Sequence, residues 1–348
     1  MNGEHRTLPG VEELPSAPPG RTGWPWTAGD AAGAESSHLD SGGSWPRITV
    51  VTPSYNQGEY LEETIRSVLL QGYPNLEYFV IDGGSSDDSA AIIARYEPWL
   101  SGWVTETDDG QTHAILKGFG QATGDLLGWI NSDDRLAPSA LTAVARSCNG
   151  HPEAGLVHAK CSFIDAGGQP LPSHAGREFD LVETIRGNNC VAQSSAFFRR
   201  EAYERVGGLD VTLHYIMDMD LWLRLGLAAD VVFVDECWSQ FRRHDASKTG
   251  QGDLAFAREI YIQAGRAFDE LELPAVVLGD RNRVLANLGL RLGYRYHQVG
   301  EDREARRYAL RAAWQHLPAV LSPGGFGTFA RTLLGRGLIG ALKRGRAD

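Results

Sequence analysis

The chain has 348 residues, 42% hydrophobic and 22% charged, a balance that excludes wholesale disorder and leaves room for two structural units. Its formal net charge of −11 argues against nucleic acid as the main partner, because phosphate binding draws on Lys and Arg. That total is unevenly spread: residues 281–348 hold 13 Lys and Arg against 4 acidic residues, a net of +9, which leaves −20 on the rest.

Residues 1–46 are rich in Pro, Gly, Ser and Ala and offer little apolar surface to offset ordering entropy, so a disordered leader is expected. Order begins at Ile48-Thr49-Val50-Val51-Thr52, a β-branched run that predicts a buried strand. Pro53-Ser54-Tyr55-Asn56 ends it, and Leu61, Ile65, Val68 and Leu69 then recur at helical spacing up to about Gly72. A second strand, Tyr78-Phe79-Val80-Ile81, stops at Asp82-Gly83-Gly84, and a helix follows through Ile92, Ile93 and Tyr96. Trp103-Val104-Thr105 predicts a short third strand, and a helix through Ala114, Ile115 and Phe119 follows it. Leu126 to Ile130 gives a fourth strand, which stops at Asn131-Ser132-Asp133-Asp134. Beyond residue 150 the pattern loosens: Leu156-Val157-His158 and Val231 to Val234 predict strands, and Asp218 to Leu227 a helix. From residue 254 onward the chain reads as helical, with Gly300 between two periodic segments and Ala305, Ala309 and Ala312 spaced for close packing.

Strand–helix alternation implies an α/β fold with a mainly parallel sheet flanked by helices, whose ligands bind beyond the carboxyl ends of the strands. Asp82, Asp108/Asp109 and Asp133/Asp134 each follow a strand, so three carboxylate groups collect along one edge. Such a rim repels itself unless a cation joins it, and Mg2+ or Mn2+ with substrate phosphates suits Asp133 and Asp134. A lone Asp pair more simply begins a turn and caps the helix near Pro138; three clusters in register favour a nucleotide site. Neither a P-loop nor a dinucleotide fingerprint is present, so Lys117, Arg242, Arg243, His244 and Lys248 are the basic candidates for the phosphates. The four cysteines (Cys148, Cys161, Cys190 and Cys237) lack metal-site spacing and read as free buried thiols in a reducing compartment. No apolar run reaches the roughly 18–20 residues that span a bilayer, and no signal pattern opens the chain, so a cytoplasmic location is expected.

Val50 to Asn56, Val80 to Asp87, Ala122 to Asp125 and Trp129 to Asp134, in this order and spacing, resemble the family 2 glycosyltransferases over residues 47–250. The resemblance implies a GT-A fold and an inverting, metal-dependent transfer from a nucleotide-sugar, with 251–348 as a helical C-terminal region. It implies that Pro53 and Tyr55 line the nucleotide pocket, that Asp82 meets the uracil ring of a UDP-sugar, and that Asp109 also contacts the nucleotide. Asn131-Ser132-Asp133 stands at the Asp-x-Asp motif with Asn for the first Asp, leaving Asp133 as the metal ligand and Asp134 and His244 as further candidates. Residues 242–249 resemble a segment that closes over the donor diphosphate, which gives Arg243, His244 and Lys248 that role.

Met217-Asp218-Met219-Asp220 is similar to the family's Glu-Asp-x-Asp segment, with Met217 in place of Glu. Two residues apart on a helix are about 200° apart, so the two carboxylates cannot both face the site. Asp218 shares a face with Leu221, Trp222 and Leu225, whereas Asp220 can pair with Arg224 four residues on. The catalytic base is therefore assigned to Asp218, and the expected acceptor is a saccharide or a lipid-linked one, in cell-surface polysaccharide or glycoconjugate synthesis. Two rivals are a nucleotidyltransferase, which generally carries a Gly-rich basic loop where this chain has Thr52 to Asn56, and a non-catalytic nucleotide- or sugar-binding module. In the tail, Phe326, Phe329, Leu333, Leu334 and Leu338 form an apolar arc near Arg331, Arg336, Lys343, Arg344 and Arg346. It reads either as a peripheral contact with the inner face of the cell membrane or as a helix packed on its own domain.

Overall fold

The computed structural model describes residues 8–28, 44–245 and 253–344. The chain divides into two compact units, Met1–Phe179 with Cys190–His244, and Asp180–Asn189 with Asp245–Asp348. The first runs β1 (Ile48–Ser54), α1 (Gly58–Leu69), β2 (Leu76–Asp82), α2 (Ser89–Tyr96), β3 (Gly102–Thr105), α3 (Gln111–Phe119) and β4 (Leu126–Trp129). It continues with β5 (Arg135–Leu136), α4 (Ala140–Gly150), β6 (Ala154–Ile164) and β7 (Pro170–Ala175). After the short α5 (Leu181–Ile185), which belongs to the second unit, come β8 (Ala196–Arg199), α6 (Arg200–Arg205), α7 (Met217–Ala228) and β9 (Asp230–Arg242).

All seven residues of β1 are buried, as its β-branched run requires, because β2 and β4 flank it on both edges in parallel register. Among the described residues the sheet has nine strands in the order β3-β2-β1-β4-β8-β6-β9-β5, with β7 beside β6. The β3-β2-β1-β4 half is parallel; beyond it β8 runs antiparallel to β4 and β6, and β9 runs parallel to β6. Gly128 of β4 lies opposite Phe197 of β8, and a Cβ there would meet the ring at 2.5 Å, so glycine is what lets these strands close. Ser54 pairs with Asp82, and Asp82 with Thr105, so β1, β2 and β3 end level with one another.

Helix α1 is buried all round rather than on one stripe. Leu61, Ile65, Val68 and Leu69 face the sheet core, and residues 8–28 cover the opposite side. The fully buried Arg66 donates to the carbonyls of Pro15 (2.8 Å), Pro25 (3.0 Å) and Trp26 (2.9 Å), and its guanidinium lies 5.3 Å from the Trp26 ring. Trp24 donates its indole N–H to the Leu136 carbonyl at 2.9 Å, and Leu14 and Trp45 join the core. The part of the expected disordered leader that is described is thus packed, because Trp24, Trp26 and Leu14 supply the apolar surface that its composition obscures.

The second unit is helical: Asp253–Glu270, Ala275–Gly279, Arg281–Val299, Asp302–Gln315, Leu317–Val320 and Pro323–Arg344, with α5. Gly300, at φ 90°, ends the Arg281–Val299 helix, and Ala305, Ala309 and Ala312 of the next are fully buried, as their spacing predicts. No described helix is long and apolar enough to cross a membrane.

Candidate functional site

The level ends of β1, β2 and β3 place their loops side by side. The Asp82 carboxylate has no solvent exposure: it accepts from the Ser85 amide (2.9 Å), the Ser85 hydroxyl (2.5 Å) and the Thr105 hydroxyl (2.7 Å). Three donors use most of its roughly four lone-pair positions. Asp82, expected to meet a base ring, is here the residue that shapes the Gly83-Gly84-Ser85 loop. Asn56 sits at φ 51° and accepts from the Ser86 amide at 2.9 Å, while its own N–H donates to the Ser85 hydroxyl at 2.8 Å. Pro53 is buried within β1, and the Tyr55 ring beside this loop is 64% exposed.

The two acids after β3 diverge. Asp108 accepts from the Gly110 amide at 2.8 Å, and a Cβ on Gly83 would stand 2.8 Å from its other oxygen. Asp109 is almost wholly exposed and lies 3.5 Å from the His113 ring. Asp108, not Asp109, is therefore the acid that borders the Gly83 loop. Lys117 pairs with Glu106 at 2.9 Å and holds that carboxyl below its ordinary range. Thr112 of α3 donates to the Leu213 carbonyl at 3.0 Å, which ties α3 to the loop that enters α7.

The turn after β4 is held from every side. Gln111 donates to Asn131 Oδ1 (2.6 Å), and Thr64 of α1 donates to the carbonyls of Ser132 (2.9 Å) and Asp134 (2.5 Å). His244 Nε2 donates to Asp133 Oδ2 at 3.0 Å, both side chains being largely but not wholly covered. Asp134, expected as a further metal ligand, is fully buried, and its carboxylate accepts from the Arg242 backbone amide at 2.9 Å. Burial, and then the Asp133 charge, push the Asp134 carboxyl well above the ordinary carboxylate range, against the opposing pull of the Arg242 amide and guanidinium.

Arg242 works beneath this turn. It donates from Nε to the Asp133 carbonyl (2.8 Å) and from Nη2 to Glu63 Oε2 (3.0 Å), and lies 4.8 Å from the Tyr60 ring, which packs on His244. Arg135 pairs with the other Glu63 oxygen. A buried guanidinium is tolerable when its donors are satisfied and a carboxylate offsets its charge. Arg243 is exposed, its guanidinium 3.9 Å from the Phe163 ring centre, and Lys248 lies outside the described residues.

No three His, Cys, Asp or Glu side chains among the described residues gather into a metal site. The Asp133–His244 pair does fit two positions of one. Mg2+ and Mn2+ commonly take one or two protein ligands plus phosphate oxygens, and neighbouring ligands roughly 2.1 Å from such an ion stand about 3 Å apart.

Asp218 and Asp220 fall on different faces of α7. Asp220 pairs with Arg224 at 2.6 Å, as the four-residue spacing predicts. Asp218 is half-buried one turn before Trp222, whose fully buried ring stacks on Trp129 of β4 at 5.6 Å and 15°. That stack sets the rotation of α7, so Asp218 lies on its sheet-facing side. Met217, where the family motif has Glu, is buried. Sequence reasoning missed Glu63, Thr64, Gln111 and Arg135 as supports of the Asp133 turn. Their partners lie up to 179 residues away, and no local spacing announces them.

Glycosyl transferase family 2 matches residues 49–207. An uncharacterized glycosyltransferase of Mycobacterium tuberculosis is 30% identical over 200 residues, 55% of this chain and 73% of its own length. TuaG of Bacillus subtilis, named for teichuronic acid biosynthesis, is 33% identical over 208 residues, 57% of this chain and 79% of its own. Among solved structures, S. aureus TarS 1-349 in complex with UDP-GlcNAc superposes with a TM-score of 0.54 at 14% identity, covering 78% of this chain and 90% of that one. The mannosyltransferase PcManGT from Pyrobaculum calidifontis, with GDP-Man and Mn2+, gives 0.52 at 19% identity, covering 83% and 86%. At these identities the superpositions speak for the fold.

Proposed function

Because the chain belongs to glycosyl transferase family 2, we propose that it moves a sugar, with inversion, from a UDP-sugar to a saccharide or lipid-linked acceptor in cell-surface polysaccharide synthesis. A nucleotide-sugar donor is supported by the UDP-GlcNAc and GDP-Man complexes of the two structural relatives, and a polysaccharide acceptor by the name of TuaG. The observation that carries the reading is the Asp133–His244 pair at 3.0 Å, beyond the carboxyl end of β4, with Asp218 on the sheet-facing side of α7.

Asp218 takes the proton of the acceptor hydroxyl while that oxygen bonds to the anomeric carbon. The bond from that carbon to the donor's diphosphate breaks on the opposite face, and the nucleoside diphosphate leaves with the bonding pair. Asp133 and His244 would hold a divalent cation, which when bound offsets negative charge on the diphosphate. Tyr55 and the Gly83-Gly84-Ser85 loop supply the base-side surface, and Arg243 and Lys248 the cationic side of the diphosphate.

Asp218→Asn should lower turnover by about 10²–10⁴-fold while UDP binding is retained; near-full transfer by this variant would remove Asp218 from the role. In thermal-shift assays UDP at about 100-fold over its Kd should stabilise by ~2.7 kcal/mol with Mn2+ and much less with EDTA. Asp133→Ala should abolish the metal-dependent part. A larger shift with GDP or dTDP would overturn the choice of donor.

A further inference from the structure

The helix Asp302–Gln315 packs inward through Ala305, Ala309 and Ala312, against a neighbouring helix where Gly289 and Gly293 allow close approach. At 100° per residue its opposite face carries Arg303, Arg306, Arg307, Leu310 and Trp314, all exposed. Trp314 is 89% and Leu310 57% exposed. Leu317 and Leu321, on and just after the next short helix, are also more than half exposed. Large apolar side chains this exposed, close together in the chain, mark an interaction site.

Charge selects the partner. Residues 281–348 carry +9 within a chain whose total is −11. A second copy meeting through the same face would set like charge against like charge, whereas an anionic surface complements it. An indole with leucines between arginines is the pattern that enters the headgroup boundary of a bilayer, apolar groups inward and guanidinium groups among the phosphates. The tail arc is covered only in part: Phe326 and Leu334 are 56% and 40% exposed. Phe329 and Leu333 are half-buried, Phe329 packs with Ala286 and Val320, and the side chain of Leu338 lies outside the described residues.

We propose that the face formed by Arg303, Arg307, Leu310, Trp314, Leu317 and Leu321 docks on an anionic lipid bilayer. This inference does not rest on the transferase reading, and its test needs no activity.

The full chain is floated with vesicles of phosphatidylcholine alone and with roughly 30 mol% phosphatidylglycerol, an anionic content that gives a surface potential of biological size. Binding is expected to the anionic vesicles only, and to weaken as salt rises. Leu310→Ser with Trp314→Ser should lower the partition at least about tenfold, by the apolar burial lost. Arg303→Gln should lower it about fivefold, and Arg307→Gln less, because Glu304 pairs with Arg307 at 3.1 Å. Thermal midpoints within a degree or so of the wild type would confirm that these surface variants fold. No binding to anionic vesicles, or binding unchanged in both sets of variants, overturns the proposal. So does a dimer in light scattering that Trp314→Ser dissolves, since a second copy would then occupy the face.

Discussion

His158 lies in the middle of β6 without solvent exposure, 5.3 Å from the Phe233 ring, and neither ring nitrogen has a hydrogen-bond partner. Burial pushes its pKa down to about 4. An unfolded imidazole titrates near ~6.5, so above that pH the group is neutral in both states. Between there and about 4 the unfolded chain binds a proton that the folded chain refuses, and stability falls as pH falls. Between pH 7.5 and pH 5.0 the wild type should lose about 2 kcal/mol more than His158→Phe in urea titrations. Equal losses would assign the acid sensitivity to other groups. Some residue-scale features were legible in advance: the separation of Asp218 from Asp220 and the Asp220–Arg224 pair follow from helix period alone. The different fates of Asp133 and Asp134 were not, because Asp134 is set by the backbone amide of a residue 108 positions later.

At the scale of elements, the strands and helices from β1 to β4 follow the sequence pattern closely, because each is marked by a β-branched run or a helical stripe and closed by Asp, Asn or Gly. Helix α1 shows where the pattern fell short. Its stripe of Leu61, Ile65, Val68 and Leu69 was readable, but Glu62, Glu63 and Arg66 look like a solvent face and are instead buried. Glu62 is held by Arg95 and Tyr96, Glu63 by Arg135 and Arg242, and Arg66 by residues 8–28, whose composition suggests disorder; the two tryptophans, Trp24 and Trp26, were the available signal for that last cover. Arg66→Ala would leave three carbonyl groups without a donor and should destabilise by about 3 kcal/mol or more. Limited proteolysis should then cut first between residues 15 and 26. Protection there equal to the wild type would mean that Arg66 does not hold this segment.

For the whole molecule, the four cysteines were expected to be buried, and three are; Cys237, on β9, is exposed. Burial pushes the Cys148 and Cys161 thiols up to about 12. At pH 8 their thiolate fraction is on the order of 10⁻⁴. A thiol reagent should therefore consume about one equivalent in the native protein and four after denaturation. Rapid loss of two or more equivalents without denaturant would contradict this packing. The order of strands was beyond sequence pattern, since the antiparallel β8 between β4 and β6 arises from pairing across roughly 40–70 positions.

The ion pair between Glu63 and Arg242 spans 179 residues, and it has a consequence in time. On a ribosome adding about 5–20 residues per second, Glu63 and Asp133 are made well before the Arg242 guanidinium and His244 imidazole that join them, roughly 9–36 s in the case of Glu63. During that interval Glu63 has Arg135 but not Arg242, and Asp133 lacks His244. The emergence of β9 and of His244 just after it is the event that completes the Glu63–Arg242 and Asp133–His244 pairs.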